Sequence, residues 1–122
     1  MTGNYLGFVE ANGFGFCSGI VGVDEGGLVL EKLEAQVQVA LGLLMALLEE
    51  YDLDQRSVVK TVVYIAHESD YEKVDALYRQ TFTESMPANT VLVAKLPKKK
   101  DQGPNEILFA LDATVTMTQF EE

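Results

Sequence analysis

The chain has 122 residues, 48% of them hydrophobic, and a mean hydropathy of +0.07, which suits one folded domain over residues 1–122 and excludes a disordered chain. Its 19 acidic against 9 basic side chains give a net charge of −10, the wrong sign for a phosphate-neutralising surface, so nucleic acid is not an expected partner.

Two β-rich runs, YLGFVEA and FGFCSGI, flank Asn12-Gly13, a dipeptide suited to the type I′ turn of a hairpin. A two-residue loop pairs Ala11 with Phe14, Val9 with Phe16, Gly7 with Ser18 and Tyr5 with Ile20 on one face. Phe8, Glu10 and Cys17 take the other face. Because Gly7 has no side chain, space remains between the Ser18 hydroxyl and the Tyr5 ring, diagonally about 7–8 Å apart. After the turn GVDEGG, Leu33, Val37, Leu41, Leu44 and Leu48 recur at helical spacing and predict a helix over 30–51.

Residues 57–66, SVVKTVVYIA, are β-branched on both sides of the pleat, as in an interior strand covered on both faces. Ser69 to Glu72 has the spacing of a capping box, and Val74, Leu77, Tyr78 and Phe82 extend a second helix over 70–83. In PANTVLVAKLP a strand over 91–96 stands between Pro87 and Pro97, with a polar Ala88-Asn89-Thr90 step at its entrance. That step is either turn chemistry or the polar wall of a ligand cleft. PKKKDQGP reads as a solvated loop. Over 107–118 the residues alternate, with Ile107, Phe109, Leu111, Ala113, Val115 and Met117 on one face and Leu108, Ala110, Asp112, Thr114, Thr116 and Thr118 on the other.

The order β-β-α-β-α-β-β predicts an α+β fold with a single sheet and two helices on one face. The second face carries apolar and small residues that two helices cannot also cover, so another copy of the chain is expected to bury it, with small-molecule clefts where copies join. No apolar run is long enough to span a bilayer, and the start MTGNYLGF lacks the regions of a signal peptide. The single cysteine, Cys17, fits a reducing compartment. A cytoplasmic location without membrane association is expected.

Asp112 is the most informative residue, since a carboxylate in mid-strand on the uncovered side is costly to bury unless paired, hydrated or used; the alternative is an edge position open to water. Tyr5 and Ser18 share a hairpin face and either offer hydroxyls to a ligand or are structural. Cys17 points away from them and reads as a buried thiol. His67, the only histidine, makes no metal site with one cysteine, and no metal is expected. GFGFCSG lacks the helix that would follow a phosphate loop, and no cofactor is expected.

Gly3 and Tyr5, Cys17-Ser18-Gly19, the strand entry Ser57-Val58-Val59-Lys60-Thr61, Tyr78 and Phe82, and the Pro-Ala start and Leu-Pro end of PANTVLVAKLP together resemble the Rid proteins. These are also called the YjgF or L-PSP family of imine deaminases. The resemblance implies a chorismate-mutase-like fold assembled as a homotrimer with a barrel-like centre and three intersubunit clefts. In similar proteins that hydrolyse imines, an arginine after Pro-Ala holds the substrate carboxylate. A last-strand glutamate positions water there, and a Ser-Gly pair with a tyrosine completes the site. Carried across, Tyr5, Ser18 and Gly19 match, and Asp112 falls at the glutamate's place, one methylene shorter. No arginine matches: the segment is one residue shorter, leaving Ala88 or Asn89 in its place, with Thr90 beside them as a substrate-binding candidate.

Imine or enamine hydrolysis with Asp112 as base is therefore expected, on substrates that do not depend on a carboxylate anchor. The alternative is a non-catalytic trimer that binds a small metabolite in the same cleft. Ribonuclease action, attached to some relatives, conflicts with the charge of −10.

Overall fold

A hairpin that turns on two residues needs both at positive φ, and Asn12 (54°) and Gly13 (83°) meet that requirement. In the computed structural model, which describes residues 7–118, this turn joins β1 (Phe8–Ala11) to β2 (Phe14–Val21). The register is the expected one, with Val9 opposite Phe16 and Ala11 opposite Phe14. Ser18 donates its N–H to the Gly7 carbonyl at 2.8 Å. A Cβ on Gly7 would stand 2.4 Å from the Ser18 carbonyl oxygen, so this approach admits only glycine. Tyr5 and Gly3 lie outside the described residues, and Ile20 is not on the face of Phe14 and Phe16 as expected but buried with Cys17 on the other, because the register shifts between Cys17 and Ile20.

The helix α1 (Leu33–Glu50) starts three residues later than expected and buries Val37, Leu41, Leu44 and Leu48 along its predicted stripe. Its neighbour α2 (Tyr71–Thr81) buries Val74 and Tyr78. The predicted capping box does not form, and Asp70 makes no side-chain cap bond. A 3₁₀ turn, Glu68–Asp70, feeds straight into α2, so the N-cap backbone is already helical (φ −87°, ψ −3°) where a capping side chain needs extended geometry.

The sheet has the order β1-β2-β5-β3-β4, where β3 is Val58–Ile65, β4 is Ala88–Val93 and β5 is Phe109–Thr116. Only β3 and β4 run parallel. The fourth strand thus begins three residues before the predicted 91–96 and ends three earlier. Ala88, Asn89 and Thr90 are rungs of the ladder, opposite Lys60, Thr61 and Val62. The physical reason is a chain of hydroxyls: the Asn89 side-chain oxygen accepts from Thr61 Oγ1 at 2.8 Å, and Thr61 in turn shares a short hydrogen bond with the buried Tyr78 hydroxyl.

Both helices lie on one sheet face, where they bury Phe109, Leu111, Ala113 and Val115 of β5 and Thr61, Val63 and Ile65 of β3. The other face has no covering element among the described residues. There Val9, Phe14, Phe16 and Leu92 are 63%, 42%, 45% and 47% exposed. The strand over 57–66 is interior, as predicted, yet Lys60, Val62 and Tyr64 on its second face are only half-buried. None of the described helices is long and apolar enough to cross a membrane.

One buried polar side chain ties the layers together. Gln36, fully buried in α1, donates through Nε2 to the carbonyls of Leu30 (2.8 Å) and Glu106 (2.9 Å) and accepts from the Leu108 N–H (2.9 Å). Gly22 lies against the same turn: a Cβ there would stand 2.3 Å from the Gln36 carbonyl oxygen.

Candidate functional site

Between β2 and β5 the register slips. Cys17 pairs with Ala113 and Ile20 with Leu111, so Ser18 and Gly19 together face the single residue Asp112. This is a β-bulge, and Gly19 takes φ 72° within it. The ladder bond lost at the bulge is replaced by a side chain: Asp112 Oδ1 accepts the Gly19 N–H at 2.8 Å. Its Oδ2 accepts from the Tyr64 hydroxyl of β3 at 2.7 Å. Two donors thus meet the desolvation cost of a half-buried mid-strand carboxylate. Bonding to Asp112, followed by desolvation, raises the Tyr64 phenol above its ordinary pKa, so Tyr64 keeps its proton at neutral pH.

These groups form the polar floor of a cleft of about 590 Å³ that opens beside them. Ser18, Gly19, Tyr64 and Asp112 line it together with the small Ala110, and Lys99 contributes from the 97–107 segment. That segment is not merely a solvated loop. Lys98 Nζ donates to the carbonyls of Gly103 and Asn105, and Asn105 Nδ2 donates to the Val29 carbonyl at 3.1 Å. Lys98 thereby staples the segment from which Pro97 and Lys99 line the cleft.

Of the expected site residues, Ser18, Gly19 and Asp112 meet within one chain. Ala88, Asn89 and Thr90 do not reach them, because β4 is the opposite edge of the sheet. The register also separates the two candidates for the missing arginine. Asn89, bonded to Thr61, is turned toward the helices. Ala88 and Thr90 share the uncovered face, where Thr90 Oγ1 accepts from Lys60 Nζ at 3.0 Å. Cys17 is buried on the helix side. His67 pairs with Glu106 at 3.1 Å, which raises its pKa, and no described cluster of His, Cys, Asp and Glu converges as a metal site.

Sequence reasoning passes over Tyr64. The available signal is parity, since it stands two and four residues from Val62 and Lys60 on a strand whose alternate side chains share a face. Its pairing with Asp112 needs the β3–β5 register, which places Val62 opposite Asp112 and Tyr64 opposite Ala110.

Residues 1–102 match the family description "Endoribonuclease L-PSP". A RutC family protein of Synechocystis is 36% identical over 102 residues, covering 80% of this chain and 78% of its own. The 2-iminobutanoate/2-iminopropanoate deaminase of Salmonella typhimurium is 35% identical over 101 residues, covering 79% of each. Among solved structures, the YjgF gene product of E. coli superposes with a TM-score of 0.77 at 27% identity, covering 95% of this chain and 90% of that one. A family match over most of the chain, relatives above 30% identity and the shared α+β fold establish that this protein belongs to the endoribonuclease L-PSP family, also named Rid or YjgF.

Proposed function

We propose that this chain hydrolyses imine- or enamine-type metabolites as a cytoplasmic homotrimer, with a second copy closing the cleft over Asp112. The observation that carries this reading is the carboxylate held at the floor of the 590 Å³ cleft on the sheet face that the chain's own helices leave open. A fixed carboxylate can orient water toward an imine carbon, take its proton and return it to the departing ammonia. The exposed Val9, Phe14, Phe16 and Leu92 support burial by another copy. The printed name of the Salmonella relative supports the reaction class. A second reading, a trimer that only binds a metabolite, draws on the fact that both Asp112 oxygens already accept protein hydrogen bonds.

The test is a panel of imines with and without carboxylates, assayed for ammonia release on protein whose mass has been measured by sedimentation. Neutral imines are expected to turn over and amino-acid imines to react poorly, because no arginine stands at Ala88 or Asn89. Ala88→Arg places a guanidinium on the open face and should tighten binding of carboxylate-bearing imines by roughly ten- to hundredfold. Asn89→Arg should bring no such gain, since position 89 is turned toward Thr61. Equal wild-type rates on both substrate classes would refute the account of the missing cation. A monomeric mass together with no turnover would leave the hydrolase reading without support.

A further inference from the structure

We propose that Tyr64 is a catalytic residue of this cleft, its hydroxyl taking a proton from the attacking water while passing its own to Asp112. The inference deepens the hydrolase reading and rests on it. Each Asp112 oxygen already has a protein donor, Gly19 N–H at 2.8 Å on Oδ1 and the Tyr64 hydroxyl at 2.7 Å on Oδ2. A water that approaches Asp112 directly must share an oxygen that is already engaged. Tyr64 is placed differently. Its only proton is committed to Asp112, so its oxygen offers lone pairs, and the residue lines the cleft. Directly opposite in register is Ala110, whose methyl leaves room beside the ring. Gly19 meanwhile pins the far oxygen, so the carboxylate is held with Oδ2 toward Tyr64.

The step balances. Water adds to the carbon of a protonated imine, its oxygen pair forming the C–O bond while the C=N π pair moves to nitrogen. The water proton goes to Tyr64 Oη as the tyrosine proton goes to Asp112 Oδ2, leaving a neutral carbinolamine and a protonated Asp112. The proton then returns by the same path to the amine, the C–N pair leaves with ammonia, and the hydroxyl oxygen forms C=O. Ammonia carries away the last proton as ammonium. The raised phenol pKa fits a group that relays a proton without standing ionised.

The experiment compares wild type, Tyr64→Phe, Asp112→Asn and the double variant on a neutral imine, with thermal melts to check folding. Tyr64→Phe should lose about 100-fold in kcat with KM within about twofold, and a curved solvent proton inventory should become linear. Adding it to Asp112→Asn should cost nothing further, as for two residues serving one transfer. Unchanged kcat, a curved inventory in the variant, or losses that multiply would each overturn the proposal. If Tyr64→Phe does not fold, 3-fluorotyrosine at position 64 keeps the bond and lowers the phenol pKa. The alkaline limb of kcat should then move to lower pH, and an unmoved limb overturns the role. Wild type inactive on every imine removes the hydrolase reading and Tyr64 with it, whereas active wild type with an unimpaired Tyr64→Phe removes Tyr64 alone.

Discussion

Asp112→Asn is expected to lower turnover of a neutral imine by roughly 10²- to 10⁴-fold while leaving assembly unchanged. The amide keeps the carboxylate's shape, and its oxygen can still accept the Gly19 N–H that supports the bulge. Its nitrogen can donate to Tyr64 in place of accepting from it, so the local contact is reversed and retained. What is lost is the ability to take a proton. Steady-state rates with sedimentation on the same samples check this, and wild-type turnover in the variant would make Asp112 a purely structural clamp. If the cleft only binds a metabolite, calorimetry will show changed affinity and no reaction in either protein.

Gln36→Leu should destabilise the fold by about 2–5 kcal/mol, since it strands three hydrogen-bonding groups on two segments at once. The carbonyls of Leu30 and Glu106 lose their donor, and the Leu108 N–H loses its acceptor. Leucine fills a similar volume, so the loss isolates the polar bonds from simple cavity formation. Against a typical total of about 5–15 kcal/mol this is a large share. Urea unfolding should show a lower midpoint at an unchanged slope. A midpoint equal to wild type would mean that water replaces all three bonds. Because β5 and the cleft residue Ile107 begin just beyond Glu106, activity should fall at temperatures below the global melt.

Local chemistry accounts for the parts of the fold that were legible in the sequence. Asn12-Gly13 has the dihedral tolerance that the turn uses, and it sets the hairpin register by itself. The stripe from Val37 to Leu48 and the alternation around Leu111 follow from helical and strand periods against one core. The start of β4 was not legible because Ala88, Asn89 and Thr90 carry turn-like identities. They join the sheet through Thr61 and Tyr78, contacts made far along the chain. Asp112 stood out as a misplaced charge, while its partners were hidden: Gly19 lies 93 positions away and Tyr64 48. The face separation of Ala88 from Asn89 likewise needed the parallel register with β3.

The bulge at Ser18-Gly19 acts on the second strand as an insertion acts on a reading frame. Before it, Phe14 and Phe16 look outward and Cys17 inward; after it, Ile20 looks inward and Val21 outward. Given that extra residue, the bulge is what lets both halves place their apolar side chains under α1, since an unbroken ladder through Ser18 and Gly19 would turn Ile20 outward. Deleting Gly19 would leave simple alternation with Ile20 still inward and Val21 outward, but would take away the N–H that Asp112 Oδ1 accepts. A shorter strand would thus keep its core side chains in place and spoil the setting of the carboxylate. Libraries that vary this strand should therefore yield folded one-residue deletions whose cleft has lost its fixed carboxylate.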